Sequence, residues 1–133
     1  VIWSRRKWLT LAAISGLISV AVGAFAAHGV ADPRSKELLK TGAQYAFMHA
    51  IATIACATFM REGLTRARFA PATFLLGTLL FSGSLYALAF GAPRWIGAIT
   101  PIGGVLFLAG WAVLIWAAQG VDDGTKPDLA EEE

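Results

Sequence analysis

The chain has 133 residues, 56% hydrophobic and 15% charged, with a formal net charge of +2 and a mean hydropathy of +0.61. Soluble domains carry about a quarter charged residues, and the basic residues here sit at the edges of apolar runs, so a water-soluble enzyme and a nucleic-acid-binding stripe are both disfavoured. The single cysteine, Cys56, excludes an intramolecular disulfide and any CxxC metal or redox site.

Asp, Glu, Lys and Arg are absent from Leu9–Ala31, Thr41–Met60, Phe69–Pro93 and Trp95–Val121, windows of 23, 20, 25 and 27 residues. Each is long enough for a helix to cross a hydrocarbon core of about 30 Å. The sequence therefore predicts an all-α integral membrane bundle of four transmembrane helices, about 8–28, 33–61, 69–91 and 100–119, filling 1–119 and followed by an acidic polar tail, 120–133.

The basic, aromatic lead-in Trp3–Trp8 resembles a signal-peptide n-region, and Ala24-Phe25-Ala26 fits a cleavage site. The apolar run, however, exceeds the usual h-region of about 7–15 residues, and a retained first helix is expected. Its small residues Ala12, Ser15, Gly16, Ser19, Gly23 and Ala26 share one face. Ser15, Ser19, Gly23 and Ala27 recur every four positions, a pattern for close helix approach. Asp32-Pro33 reads as an N-cap followed by proline at the first helical position. The second helix starts there and runs to about Met60, roughly 42 Å, with Arg34, Lys36, Glu37 and Lys40 among the headgroups.

Within Thr41–Met60, Gly42, Tyr45, His49, Thr53 and Cys56 fall in an arc of about 80°. This polar stripe has to face protein, because an unpaired polar group in hydrocarbon costs several kcal/mol. The third helix places Thr73, Gly77, Ser84, Ala87 and Gly91 on one side. The fourth is expected to open with Thr100 as N-cap and Pro101 as first residue. Gly103, Gly110 and Ala117 then recur every seven residues, a seam for a left-handed crossing. Trp95, Trp111 and Trp116 fit interfacial belts. Lys and Arg number seven on the side of the termini and four on the other, which favours both termini in the cytoplasm. Ala24-Phe25-Ala26-Ala27 is faintly echoed by Ala89-Phe90-Gly91-Ala92, as chance or a parallel repeat of helix pairs would produce.

His28 and His49 are the only ionisable candidates within the spans apart from Cys56 and the tyrosines. No membrane carboxylate is available for proton coupling, a Ser-His-acid triad lacks its acid, and two His with one Cys fall short of a zinc site. Axial haem ligation would need both histidines at one depth on opposed faces, whereas His28 ends one helix and His49 lies inside another. No catalytic residue, metal site or cofactor is expected. Tyr45 and His49, at i and i+4, can touch, and a hydrogen-bonded pair that locks the bundle is the expected role.

Four stretches together resemble the domain-of-unknown-function-423 family of small bacterial inner-membrane proteins, to which the eukaryotic transmembrane protein 256 is similar. Gly23–Gly29 resembles GAFGAHG, and Tyr45 with His49-Ala50 resembles Y-x-x-x-H-A. Leu80–Tyr86 resembles LFSGSLY, and Gly97–Gly104, followed by Gly110-Trp111, resembles G-x-I-T-P-I-G-G with a later GW pair. The sequence departs at Ala26, where the motif has glycine, which puts a positive φ there in doubt. The resemblance implies four membrane helices in the bacterial inner (plasma) membrane and no established activity. It directs attention to His28, Tyr45, His49, Ser82, Ser84, Thr100 and Pro101. The functional expectation is a non-enzymatic accessory, assembly or scaffold subunit, in contact with lipid and with other membrane subunits or copies of itself and not with nucleic acid. The alternative is a small-molecule transporter or pore with a polar path near His49.

Overall fold

The structure, a computed structural model, describes residues 4–61 and 65–121. Among them it is all-helical: α1 (Arg5–Gly29), α2 (Pro33–Arg61), α3 (Ala70–Ala89) and α4 (Thr100–Ala118), with 3-10 turns at Thr65–Phe69 and Arg94–Ala98 leading into α3 and α4. The expected acidic tail lies outside the described residues from 122 onward.

Local chemistry sets the helix ends. Ser4 caps α1, its side chain accepting from the Lys7 amide, so α1 starts ahead of the expected residue 8. Asp32 Oδ2 accepts from the Ser35 amide at 2.9 Å, and Pro33 supplies a first residue whose missing N–H costs nothing. That amide holds the Asp32 carboxyl below the usual carboxylate range, with a smaller contribution from Arg34. At the end of α3, Ala92 N–H reaches Ala87 O at 2.9 Å and Gly91 N–H reaches Leu88 O at 3.2 Å. This is a Schellman closure, and it requires the left-handed residue that Gly91 supplies at φ 95°. Gly91 therefore ends α3 and is not part of the small face on which it was expected. Ala26 lies inside α1 and is fully buried, so it needs no positive φ.

Each helix packs on its neighbour in sequence, α1 on α2, α2 on α3 and α3 on α4, while α1 and α3 meet only lightly. At one end of the bundle the rings of Phe25 and Phe90 lie 6.3 Å apart. At the other end, Arg5 Nε donates to Ala57 O at 3.0 Å. There too Arg66 donates to Trp116 O at 3.3 Å, supplying one of the carbonyls left open at the end of α4.

Among the described residues three helical segments are long and apolar enough to cross a membrane: Arg5–Gly29, Arg66–Ala89 and Arg94–Ala118. α2 is not among them, although its inner part is free of charge. Gln44, Tyr45, His49 and Thr53 lower the apolarity of the part of α2 that is described. Burial explains how such a helix is accommodated. Leu39, Ala43, Ala46, Ala50 and Ala57 form one buried stripe, and Gly42, His49, Thr53 and Cys56 form an adjoining one. The first stripe meets α1, where Ala43 faces Gly23. The second meets α3 and α4.

The α1 seam differs from the four-residue pattern expected. Ala12, Ser19 and Ala26 are buried at seven-residue spacing and Ala27 is exposed. Seven-residue recurrence keeps a seam on one partner across a left-handed crossing, which four-residue recurrence over three turns does not.

Candidate functional site

The polar residues of α2 converge on His49, which is 4% exposed. Its imidazole lies flat on the Phe107 ring, with centroids 3.6 Å apart and planes 8° apart. Phe74 of α3 leans against it at 5.4 Å. Both ring nitrogens have partners. Nδ1 is 2.7 Å from the Tyr45 carbonyl oxygen, and the Trp111 indole N–H donates to Nε2 at 3.1 Å. An indole N–H only donates, so Nε2 presents its lone pair and Nδ1 carries the proton that it gives to Tyr45. The neutral Nδ1–H tautomer is thus assigned by its partners.

Three glycines make room for this cluster and the rings beside it. A Cβ on Gly77 would come within 2.7 Å of the Phe107 ring and 3.1 Å of the Gly103 carbonyl, so Phe107 is held between Gly77 and the imidazole. A Cβ on Gly110 would fall on the Phe74 ring and 2.7 Å from Thr73 Oγ1, and one on Gly103 on the backbone and Cβ of Phe81. Gly103, Gly110 and Ala117 are all buried along α4.

The other candidate residues separate by depth and by helix pair. Tyr45, adjacent to His49 on the stripe, is 38% exposed at the rim, where its ring packs on Phe81 at 4.8 Å. Its hydrogen bond to His49 comes from the backbone carbonyl and not from the phenol oxygen, while its ring lies near-parallel to the imidazole at 6.3 Å. Ser82 Oγ donates to the Gly42 carbonyl at 2.7 Å, tying α3 to α2. Ser84 Oγ donates to Phe81 O at 2.8 Å and lies 2.6 Å from Thr100 Oγ1, which leaves Thr100 as the donor to Ser84. Thr100 is therefore not the N-cap of α4. Ile99 holds that position without a side-chain bond, because the Thr100 hydroxyl is taken by α3. Pro101 is exposed in the first turn of α4, and His28 is exposed in the last turn of α1. Neither joins the His49 cluster. Among the described residues no three or more His, Cys, Asp or Glu side chains come together as a metal site would require.

Sequence reasoning overlooked Phe74, Phe107 and Trp111. Trp111 was expected in an interfacial belt, and at 45% exposed it does present an edge outward, but its N–H points inward. The available signal was chemical: a donor-only indole at i+4 from Phe107 and next to Gly110 faces whatever acceptor its small neighbour lets approach.

A family model described as "Protein of unknown function (DUF423)" matches residues 22–104. A "UPF0382 membrane protein" of Haemophilus influenzae is 46% identical over 117 residues, covering 86% of this chain and 94% of its own. The "UPF0382 inner membrane protein YgdD" of Escherichia coli K12 is 43% identical over 119 residues, covering 86% and 91%. A "UPF0382 membrane protein" of Staphylococcus epidermidis is 35% identical over 115 residues, covering 84% and 94%. No solved structure matches.

Proposed function

Because the chain belongs to the DUF423 family of bacterial inner-membrane proteins of unknown function, we propose that it is a non-enzymatic accessory, assembly or scaffold subunit of a larger membrane complex. All four helices span the bilayer in this reading, with both termini in the cytoplasm. The observation that carries it is the saturation of His49. Its ring is stacked on Phe107 and leaned on by Phe74, its side chain is buried, and its nitrogens are bonded to Tyr45 and Trp111. A histidine on a transport path needs a free nitrogen or an open face toward that path. The hydroxyls of Ser19, Thr53, Ser82 and Ser84 are likewise bonded within the bundle, whereas the buried hydroxyls of Thr78 and Tyr86 have no partner among the described residues.

The polar interior thus works as a fastener, and recognition is left to the outer surface. After the internal seams are filled, Ala13, Ala21 and Ala24 of α1 and Ala109 and Ala112 of α4 remain exposed. Small outward residues let further helices approach closely. The spanning of α2 is supported by its burial between α1 and α3, and the orientation by the Lys and Arg asymmetry.

The test is extraction from the native membrane in mild detergent followed by native gel separation. A discrete assembly larger than the chain, unchanged in His49→Gln, is expected. Dispersal to single chains, together with ion or solute flux in proteoliposomes that His49→Gln abolishes, would overturn the reading in favour of a transporter. A reporter active only in the cytoplasm, fused after Glu133, tests the topology separately.

A further inference from the structure

A groove of about 350 Å³ runs between α1 and α2 on the bundle's outer side, lined by Val20 and Gly23 on one wall and Lys40, Ala43, Gln44 and Phe47 on the other. Its existence follows from Gly23. A Cβ there would meet nothing closer than Ala43 Cβ at 4.0 Å, so the missing side chain leaves a notch above the helix contact.

The order of groups along the groove is that of an amphiphile. Lys40 stands toward the start of α2, at the border of the charge-free stretch. Gln44 is one turn further in, about 6 Å, and Phe47 about 10 Å in from Lys40 at 1.5 Å per residue. Lys40 has no ion pair, and the Gln44 amide no hydrogen bond, among the described residues, and both are exposed. An outward amide one turn inside a membrane border is costly unless it finds an acceptor. A cation, then an amide donor, then an apolar trough match a phosphate, a glycerol ester carbonyl and an acyl chain in sequence and approximate spacing.

We propose that this groove binds one anionic glycerophospholipid, with its phosphate on Lys40, an ester carbonyl accepting from Gln44, and an acyl chain laid over Gly23 between Val20 and Phe47. The site rests on α2 spanning the membrane, and in the orientation given above it takes its lipid from the periplasmic leaflet.

The experiment is native mass spectrometry of the delipidated full chain titrated with phosphatidylglycerol or phosphatidylcholine of identical acyl chains. One phosphatidylglycerol per chain is expected, preferred by about fivefold, the factor that one lysine near an anionic surface is worth. Lys40→Gln abolishes the preference, and Gln44→Leu weakens both lipids equally. Lys36→Gln, which changes the same border without lining the groove, leaves the preference in place. Equal binding of the two lipids, an equal loss in Lys36→Gln and Lys40→Gln, displacement by inorganic phosphate, or occupation of the groove by a second chain would each overturn the site. If the site fails while the Glu133 reporter stays cytoplasmic, the four-span reading stands.

Discussion

Replacing Gly103 with alanine adds one methyl group where the structure has no space for it. The new carbon would land on the Phe81 amide nitrogen and lie 2.7 Å from Phe81 Cβ and 2.8 Å from the Gly77 carbonyl oxygen. Two of these three atoms are backbone, so rotating a side chain cannot relieve the contact and α3 and α4 have to separate. Overpacking of this kind costs about 1–3 kcal/mol. Alanine also gains up to about 1 kcal/mol of helix propensity over glycine, which would mask part of the loss. Gly104→Ala corrects for it, because its Cβ would meet only Phe81 Cδ2 at 3.9 Å, an ordinary contact. The difference between the two alanine variants therefore isolates the seam and is expected to be about 1–3 kcal/mol. Unfolding in detergent micelles measures it, with Leu108→Ala, at a residue 70% exposed, as a third comparison. Equal stability of the Gly103 and Gly104 variants would refute the close approach of α3 and α4.

Gly110→Leu is expected to displace Phe74 and Thr73 and to destabilise by about 1–3 kcal/mol, again by detergent unfolding. Tyr86→Phe keeps the ring that covers Gly42 and removes a buried hydroxyl with no protein partner among the described residues; stability within about 1 kcal/mol of the parent is expected. Asp32 has a lowered carboxyl pKa in the folded chain because the Ser35 amide bonds its charged form. Its contribution is therefore present above the unfolded carboxylate value of about 3.9 and is lost as pH falls through the lowered folded value. A melting curve series from neutral to strongly acid pH should show this loss in the parent and not in Asp32→Asn, which caps without titrating.

What could be read in the sequence was whatever is decided within a few residues. The start of α2 follows from Asp32 and Pro33, which act on their own helix. The seam of α4 follows from Gly103, Gly110 and Ala117, whose spacing fixes a shared face whatever lies opposite. The burial of His49 follows from the cost of a polar group in hydrocarbon. Features that depend on a distant partner were not legible. Thr100 has the chemistry of an N-cap, but Ser84, sixteen positions earlier, takes its hydroxyl. Trp111 has the position of a belt residue, but His49 takes its N–H across 62 positions. Ala27 continued a four-residue pattern in α1, yet which small residue is buried depends on how α2 crosses, and the crossing selects Ala26.

Whether His49 is an internal fastener is measured most directly by a double-mutant cycle of His49→Leu and Trp111→Phe, read by unfolding in detergent. If the Trp111 N–H and His49 Nε2 bond each other as the structure places them, each single variant leaves its partner unpaired and the second change costs little more. A coupling of about 0.6–1.7 kcal/mol is expected, from the average to the largest value found for hydrogen bonds between membrane helices. Additivity to within about 0.3–0.5 kcal/mol would contradict the bond, and with it the assignment of His49 to the bundle's interior.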